Sequence, residues 1–290
     1  MAARGHRIFY STPSQLFARG AEVFVRATPV TVLESEPWFV FHEEEIRPAV
    51  QFPLILMRKD PPVDQDYLVT TQLLSLLPRT ASVLNDPRAL RNWNEKLVIL
   101  QFPRSIPPTL VSADRGEITR FVRSQNGIAC AKPLEGFAGK GVRRLETNDP
   151  NSITAIDEMT LYGSRPIMVQ RFLPEVAEGE KRIFFVDGRP LGALLKIPPT
   201  GSFLTNPDLG GHLAPTTLSI KERRICAEIS PFLKKNNIFF AGVDMIGERL
   251  TEINITSPGL VWEWNDLDHR RHEEEIVDLM EKKIARSVRR

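Results

Sequence analysis

The chain has 290 residues and a composition typical of a folded globular protein. Hydrophobic residues make up 42% and charged residues 26%, which supports more than one core and excludes a disordered or fibrous chain. The formal net charge is only +2, so the chain has no overall basic field for nucleic acid or for an anionic membrane. Any anion site must therefore be local.

Nothing in the sequence predicts export or membrane insertion. The first residues, MAARGHRIFY, lack the apolar segment of a signal peptide, and no stretch approaches the roughly 18 uninterrupted apolar residues of a membrane span. Cys130 and Cys226 lie far apart in apolar surroundings, which predicts two buried thiols rather than a disulfide. We therefore expect a cytoplasmic protein with neither nucleic acid nor membrane as a partner.

Residues 1–90 predict a small α/β domain. Strand-like runs at 7–10, 22–26, 38–42 and 54–58 are separated by Pro, Ser and Gly, and leucine spacing predicts a helix over 66–77. Arg58 and Asp60 directly follow the last of these strands, where open α/β sheets commonly bind ligands. The alternative is a solvated strand end.

Residues 84–102 begin with Asn85, Asp86 and Pro87, a typical helix start, and the predicted helix carries Lys96. A lone helical lysine usually faces solvent. The pattern alone therefore gives Lys96 no role.

A glycine-rich segment, LEGFAGKGV at 134–142, follows a strand predicted over 128–131. Its glycines are Gly136, Gly139 and Gly141. Glycine lets backbone N–H groups approach an anion, and Lys132 beside the segment would add positive charge. The segment is not a Walker A motif, because Lys140 is followed by Gly where Ser or Thr would hold magnesium. A phosphate-covering loop and an ordinary hairpin both remain open.

The next strand is predicted over 166–173, and Arg182 begins the one after it. An arginine at a strand start is more often an exposed edge residue. A further strand over 191–198 and an amphipathic helix over 220–236 follow.

Residues 239–258 place oxygen ligands on two successive strands. Asp244 lies near the end of the first strand, and Glu252 and Asn254 share a face of the second. A two-residue turn would put Asp244 and Glu252 on opposite faces, whereas a three-residue loop would put them directly across from each other. Oxygen ligands without thiol or imidazole suit magnesium carrying substrate phosphates. The alternative is a hairpin with a polar face.

The last helix is predicted to begin after Asp268, which can cap it. Three arginines at its end, Arg286, Arg289 and Arg290, are expected to complement the helix dipole.

Four motifs in this order resemble the bacterial glutathione synthetases of the ATP-grasp superfamily. They are MRKDPP at 57–62, NEKL at 94–97, GEKR at 179–182 and TEINITSP at 251–258. The resemblance implies an α/β with α+β fold: an N-terminal α/β (pre-ATP-grasp) domain plus an ATP-grasp nucleotide-binding cleft of two subdomains. The implied divisions are an N-terminal substrate domain at 1–90, a lid subdomain at 91–165 and a C-terminal catalytic subdomain at 166–290.

The resemblance also implies a role for individual residues. The nucleotide would be bound by Lys96, Lys132, Glu135, Gly136, Gly139, Gly141, Gln170, Phe172, Leu173, Glu180 and Asn206. The metal ligands would be Asp244, Glu252 and Asn254. Arg182 and Lys132 would be catalytic, and the substrate residues would be Arg58, Asp60, Arg182 and Ser257.

The implied reaction is the ATP-dependent joining of γ-glutamylcysteine to glycine through an acyl phosphate. ATP and Mg²⁺, with Mn²⁺ as an alternative, would be the cofactors, and the family suggests a homo-oligomer. Two alternatives are an ATP-grasp ligase of other carboxylate or amine specificity and a non-catalytic nucleotide-binding homologue.

The sequence departs from the family pattern at several positions. Leu204 and His212 stand where the family usually has basic residues, and Ala138 stands where it often has Gly. The first strand and most of the first helix of the family have no counterpart before Gly5. We therefore expect this form to bind ATP through its later motifs, to be less stable, and to bind γ-glutamylcysteine weakly or not at all. The alternative is a divergent ligase with a reduced N-terminal domain.

Overall fold

The computed structural model describes residues 1–78 and 80–288, and the side chains of these residues up to 285. The chain divides into two compact units, one made of Met1–Asn92 with Arg271–Arg290 and the other of Trp93–Arg270. The expectation for Arg286, Arg289 and Arg290 lies outside the described side chains.

The first unit is built around one long strand, β3, which pairs antiparallel with four short ones. The strands are β1 (Ile8–Tyr10), β2 (Leu16–Arg19), β3 (Glu22–Val32), β4 (Phe39–Phe41) and β5 (Glu45–Pro48). Val23, Val25 and Ala27 of β3 are buried with Ala49 and form its core.

A two-stranded parallel sheet and two helices complete the N-terminal part of this unit. They are β6 (Leu54–Leu56), α1 (Gln65–Leu74), β7 (Ser82–Leu84) and α2 (Pro87–Asn92). The Asp64 carboxylate accepts a hydrogen bond from the N–H of Tyr67 at 2.9 Å, which fixes the start of α1.

In the second unit, a first sheet carries the glycine-rich segment between two of its strands. The elements are β8 (Thr109–Ser112), α3 (Arg115–Ser124), β9 (Ile128–Pro133), β10 (Arg143–Glu146), α4 (Asn151–Met159) and β11 (Ile167–Arg171). The strands run antiparallel in the order β10-β9-β11-β8. Ile118 and Val122 of α3 and Ile156 of α4 pack into one core with Ala131 and Val169 of the sheet.

A second antiparallel sheet, in the order β14-β13-β12-β15-β16, forms the rest of this unit. Its elements are β12 (Glu180–Val186), β13 (Arg189–Ile197), β14 (His212–Pro215), α5 (Ile220–Lys235), β15 (Phe240–Ile246), β16 (Arg249–Asn254) and α6 (Val261–Asp268). Trp264 of α6 stacks on Phe184 at 4.5 Å between ring centroids. Gly192 makes room for it, since a Cβ there would lie 2.2 Å from the indole.

The last helix, α7 (His272–Val288), belongs to the first unit. Arg4 forms an ion pair with Asp278 at 2.5 Å, and His6 forms one with Glu281 at 2.7 Å, which ties the helix to the start of the chain. The predicted division at 90 and 165 stays a prediction. The structure adds that β11 pairs with β8 and β9, so the first sheet extends beyond residue 165.

The predicted helix over 84–102 is wrong at Lys96. The helix α2 ends at Asn92, and Lys96 instead precedes a 3-10 turn, Leu97–Gln101. The cause is local, because the Asn94 side-chain oxygen accepts from the N–H groups of both Lys96 and Leu97 and so competes with helical pairing. Among the helices of the described residues, none is long and apolar enough to cross a membrane.

Candidate active site

The hairpin of β15 and β16 brings the predicted oxygen ligands together. Its turn has two residues, since Ile246 pairs with Arg249, yet Asp244 lies directly across from Glu252. A β-bulge resolves this: between Asp244 and Met245 the register shifts, and Thr251 is the extra residue on β16. The Asn254 amide nitrogen donates to Asp244 Oδ2 at 3.1 Å, which places the third ligand beside the first.

Three cations pair with three carboxylates around this hairpin, and we call these six residues the charge cluster. Lys96 lies 3.0 Å from Glu252 Oε1, Arg182 makes a two-pronged pair with Asp244, and Lys196 lies 2.8 Å from Glu180 Oε2. Lys196 also reaches Asp244 Oδ2 at 3.2 Å, which links two of the pairs. The formal charges therefore cancel within the cluster.

Burial makes this balance necessary. The side chain of Asp244 is 2% exposed, that of Lys96 6% and that of Lys196 8%, and an unpaired charge is costly at such depth. Burial by itself raises the pKa of the Asp244 carboxyl, but Arg182 and Lys196 outweigh burial and lower that pKa to about 2. Burial likewise lowers the pKa of Arg182, and Asp244 and Glu180 more than reverse that effect and raise it. Asp244 and Arg182 are thus held as ions.

Arg182 reaches Asp244 by crossing a glycine on the neighbouring strand. A Cβ at Gly242 would lie 2.8 Å from Cδ and 3.1 Å from Nε of Arg182. Strand β12 is central rather than at an edge, since it pairs with both β13 and β15. The exposed-edge interpretation of Arg182 is therefore wrong, and its side chain is 11% exposed.

The segment Asn94-Glu95-Lys96 contacts both the charge cluster and the glycine-rich segment. Lys96 Nζ donates to the carbonyl of Gly136 at 2.5 Å, and Asn94 Nδ2 donates to that of Leu134 at 2.9 Å. Burial first and Glu252 second raise the pKa of the Glu95 carboxyl, against hydrogen bonds from Thr256 and Ile255 that lower it.

The glycine-rich segment adopts a backbone that few residues tolerate. Ala138, Gly139 and Gly141 have φ of +54°, +74° and +75°, in the left-handed region that favours glycine. Glu135 is exposed and pairs with Arg165 at 3.5 Å. Among the described side chains, at residues 1–78 and 80–285, Lys132 forms no ion pair, so its charge stays available to an anion.

The predicted nucleotide hinge lies at the end of β11. Gln170 is 2% exposed and donates to Thr109 Oγ1 at 3.1 Å, and Leu173 is 6% exposed. The Phe172 ring packs edge-on against Phe203 at 5.9 Å between centroids. Gln170 lies in the last two residues of β11, and Phe172 and Leu173 directly follow that strand on the way to β12.

The remaining predicted site residues lie outside the charge cluster and the glycine-rich segment. The Asn206 side chain accepts from the N–H of Asp208 at 2.9 Å and so caps a short turn. Ser257 is half-buried shortly after β16, and Arg58 and Asp60 are exposed in the first unit, after β6. Leu204, at a position where a basic residue was expected, faces the glycine-rich segment, since a Cβ at Gly139 would lie 3.8 Å from its Cδ2.

Sequence reasoning missed Lys196, Thr205 and Thr251. All three contact Glu180: Lys196 at 2.8 Å, Thr205 Oγ1 at 2.7 Å and Thr251 Oγ1 at 3.2 Å. The signal for Lys196 was a lysine in an otherwise apolar strand, LLKI, since such a charge needs a partner. The structure supplies that partner directly, because Glu180 pairs with Lys196 in the strand register.

These two sheets, with a glycine-rich loop on one and paired acidic residues on the other, define an ATP-grasp fold. The same fold is found in the Chryseobacterium gregarium RiPP-associated ATP-grasp ligase, solved with ADP and peptides, at a TM-score of 0.60 and 20% identity over 96% of this chain and 85% of that one. The D-cycloserine synthetase DcsG matches with a TM-score of 0.59 and 15% identity over 73% and 78% of the two chains.

Sequence similarity identifies the family. Residues 1–91 match the family described as prokaryotic glutathione synthetase, N-terminal domain, and residues 95–269 match prokaryotic glutathione synthetase, ATP-grasp domain. The glutathione synthetase of Parasynechococcus marenigrum is 46% identical over 88% of this chain and 82% of its own. That of Synechocystis sp. is 39% identical over 97% and 91%. The chain therefore belongs to the prokaryotic glutathione synthetase family.

This membership confirms the resemblance and the ATP-grasp fold predicted from the four motifs. It also confirms the expectation of an ATP-dependent carboxylate–amine ligase of glutathione biosynthesis. The individual site residues, the metal and the oligomeric state stay predictions.

Proposed function

We propose that this chain joins γ-glutamylcysteine to glycine with ATP and a divalent cation, preferably Mg²⁺ with Mn²⁺ as a substitute. The charge cluster is the observation that carries this proposal. It gathers acidic ligands for a metal and basic partners for phosphate in one place, with five of its six residues on strands of one sheet and Lys96 on the segment before Leu97–Gln101.

The donor set fits a hard cation. Asp244, Glu252 and Asn254 offer carboxylate and carboxamide oxygens, and no thiol or imidazole belongs to the cluster. Asn254 turns its amide nitrogen toward Asp244, which leaves its carbonyl oxygen for a ligand. When bound, the cation would neutralise and orient the phosphates.

The ion pairs give this site partners for both a metal cation and an anionic phosphate. Lys96, Arg182 and Lys196 hold the carboxylates in place without ligand. With a metal-bound triphosphate, Asp244 and Glu252 would gain the metal as partner, and the three cations would gain phosphate oxygens. Arg182 and Lys132, the proposed catalytic residues, would then neutralise the transferring group.

The surrounding elements would hold the rest of the nucleotide. Gln170, Phe172 and Leu173 would hold the adenine, and Glu180 would accept hydrogen bonds from the ribose hydroxyls. Asn206 would also contact the nucleotide. The glycine-rich segment, with Glu135, would cover the phosphates and keep water from the acyl phosphate. Arg58, Asp60 and Ser257 stay predictions as substrate residues.

The reaction transfers the γ-phosphoryl group of ATP to the C-terminal carboxylate of γ-glutamylcysteine and releases ADP. The glycine amine then attacks the acyl phosphate carbon, and phosphate leaves as the peptide bond forms. Positioning and charge neutralisation are the protein's main contribution, so the buried cations are the residues that matter.

A second candidate is an ATP-grasp ligase of other specificity, favoured by Leu204. This side chain offers an apolar surface next to Gly139 where a basic residue was expected. An apolar side chain cannot pair with a substrate carboxylate, so a different carboxylate or amine substrate becomes possible.

One assay tests both candidates. ADP and phosphate release is measured with γ-glutamylcysteine and each of a panel of amino acids, for wild type and for Glu252→Gln. We expect release only with glycine, loss of it without Mg²⁺, and at least a hundredfold loss in the variant. Release that favours another amine supports the second candidate, and release unaffected in Glu252→Gln contradicts the metal assignment.

We also propose a cytoplasmic homo-oligomer. Its candidate surface is an apolar face of β3 and β4 in which Val32 is 53%, Phe39 49% and Phe41 50% exposed. The ring centroids of Phe39 and Phe41 lie 5.1 Å apart, and those of Tyr10 and Phe41 lie 5.4 Å apart. Light scattering of wild type and of Phe39→Ser/Phe41→Ser tests this: a wild-type monomer, or an unchanged oligomer in the variant, contradicts the proposed surface.

A further inference from the structure

Strand β16 carries two proposed metal ligands, Glu252 and Asn254, yet it lies at the edge of its sheet. An edge strand has N–H groups with no partner strand, and these must be satisfied by other means if the strand is to stay in place. The position of the ligands therefore depends on what covers that edge.

The chain between α2 and β8 covers it. The N–H of Leu250 donates to the carbonyl of Ser105 at 2.9 Å, and the N–H of Ile253 donates to the carbonyl of Glu95 at 3.0 Å. The Glu95 side chain then continues along the strand. Its Oε1 atom accepts from the N–H of Ile255 at 2.6 Å and from the N–H of Thr256 at 2.8 Å.

A third donor completes this arrangement. Thr256 Oγ1 lies 2.8 Å from the same carboxylate oxygen, and Ile255 and Thr256 are 0% and 4% exposed. Three donors converge on one buried carboxyl oxygen, where no water competes for these hydrogen bonds. Glu95 thus fixes the backbone at Ile253, Ile255 and Thr256, residues that alternate with or directly follow Glu252 and Asn254.

The residues on either side of Glu95 connect it to the proposed site. Lys96 binds Glu252 Oε1 at 3.0 Å and the carbonyl of Gly136, and Asn94 binds the carbonyl of Leu134. Three consecutive residues therefore fasten the β16 strand on one side and the glycine-rich segment on the other. A shift at Glu95 would move Lys96 and Glu252 relative to each other.

We infer that Glu95 is a positioning residue for the metal-bound nucleotide: it holds the end of β16 so that Glu252 and Asn254 face the site together. This inference rests on the proposed function, because it takes those two residues as metal ligands. The Glu95 side chain binds Ile255 and Thr256, so it would act on the site through the backbone that carries Glu252 and Asn254. Residues that orient metal ligands typically change metal affinity by about 10–100-fold when they are replaced.

The test is calorimetric binding of ADP to the full chain with Mg²⁺ and with EDTA, together with urea unfolding. The variants are Glu95→Ala, Glu95→Gln and Thr256→Val, with Glu248→Gln as a matched control on the same unit. We expect Glu95→Ala to weaken Mg·ADP binding about tenfold or more and to leave metal-free ADP binding within twofold of wild type. Glu95→Gln, which keeps an oxygen acceptor, should recover most of the affinity, and Thr256→Val should show a smaller loss.

The outcomes separate this inference from the proposed function. If wild type and Glu252→Gln bind ADP equally with and without Mg²⁺, the metal assignment fails, and the inference fails with it. If Glu252→Gln loses the Mg²⁺ effect while Glu95→Ala keeps it in full, Glu95 is only structural and the inference is overturned. If Glu95→Ala does not fold, Glu95→Gln and Thr256→Val decide: Mg·ADP affinity equal to wild type in both contradicts the inference.

Discussion

Replacing Asp244 by asparagine tests the charge balance of the cluster. Asparagine keeps the shape of the side chain and one oxygen acceptor, so it removes the negative charge while Arg182 and Lys196 stay buried. It resembles the protonated carboxyl, whose pKa lies at about 2 instead of 3.8. Because one pKa unit corresponds to about 1.4 kcal/mol, we expect the free energy of unfolding to fall by about 2 kcal/mol at pH 7.

The same reasoning gives the pH dependence and its sign. The pKa of Asp244 is lowered in the folded state, so its contribution is present above pH 3.8 and is lost as the pH falls toward about 2. Wild type and Asp244→Asn should therefore differ most near neutral pH and converge in acid. About half of the difference should have disappeared by pH 3.

The assay is urea unfolding followed by tryptophan fluorescence at a series of pH values. Asp266→Asn is the matched control, because Asp266 is an exposed aspartate on α6 of the same unit. We expect the control to follow wild type at every pH. Equal stability of wild type and Asp244→Asn at pH 7, or a difference that persists unchanged at pH 2, would refute the argument that Asp244 is held ionised by its partners.

Three other predictions concern two glycines and the glycine-rich segment. Gly242→Ala should displace Arg182 and lower kcat about a hundredfold in steady-state assays, whereas Gly116→Ala in α3 should leave kcat unchanged. Gly192→Ala should crowd Trp264, which a Cβ would approach to 2.2 Å, and should cost about 1–3 kcal/mol in urea unfolding; wild-type stability would contradict the packing argument. Residues 135–142 should gain protection from hydrogen exchange when ADP and Mg²⁺ are added, with α3 as internal reference, and equal protection in both states would exclude a phosphate cover.

Sequence reasoning predicted the hairpin of β15 and β16 only in part. Alternation along 250–255 correctly placed Glu252 and Asn254 on one face. The turn argument then failed, because it assumed a regular ladder on both sides of Gly247. Thr251 is an extra residue in β16, and its hydroxyl donates to the carbonyl of Asp244 at 3.1 Å. A bulge of this kind depends on buried partners and has no local signature here.

Contacts between residues far apart in the sequence explain most of the other features that were not predicted. Lys196 and Glu180 are opposite each other in neighbouring strands, and only the strand register makes them a pair. The helix predicted through Lys96 followed from propensity, whereas the Asn94 side chain ends that pattern by binding two N–H groups. The helix Val261–Asp268 was not predicted either, because its buried Trp264 packs against Phe184 of a distant strand.

The balance of the charge cluster has a consequence for the order of events at the site. Every cation of the cluster already has a carboxylate partner, so a metal-free nucleotide can attract them only by leaving buried carboxylates unpaired, which is costly. Lys132, outside these pairs, can meet such a nucleotide without that cost. A divalent cation held by Asp244 and Glu252, as proposed above, would remove this conflict, because it would replace Arg182 and Lys96 as the partner of these carboxylates. On this proposal, tight nucleotide binding depends on the metal, because the charges of the six side chains already cancel without it.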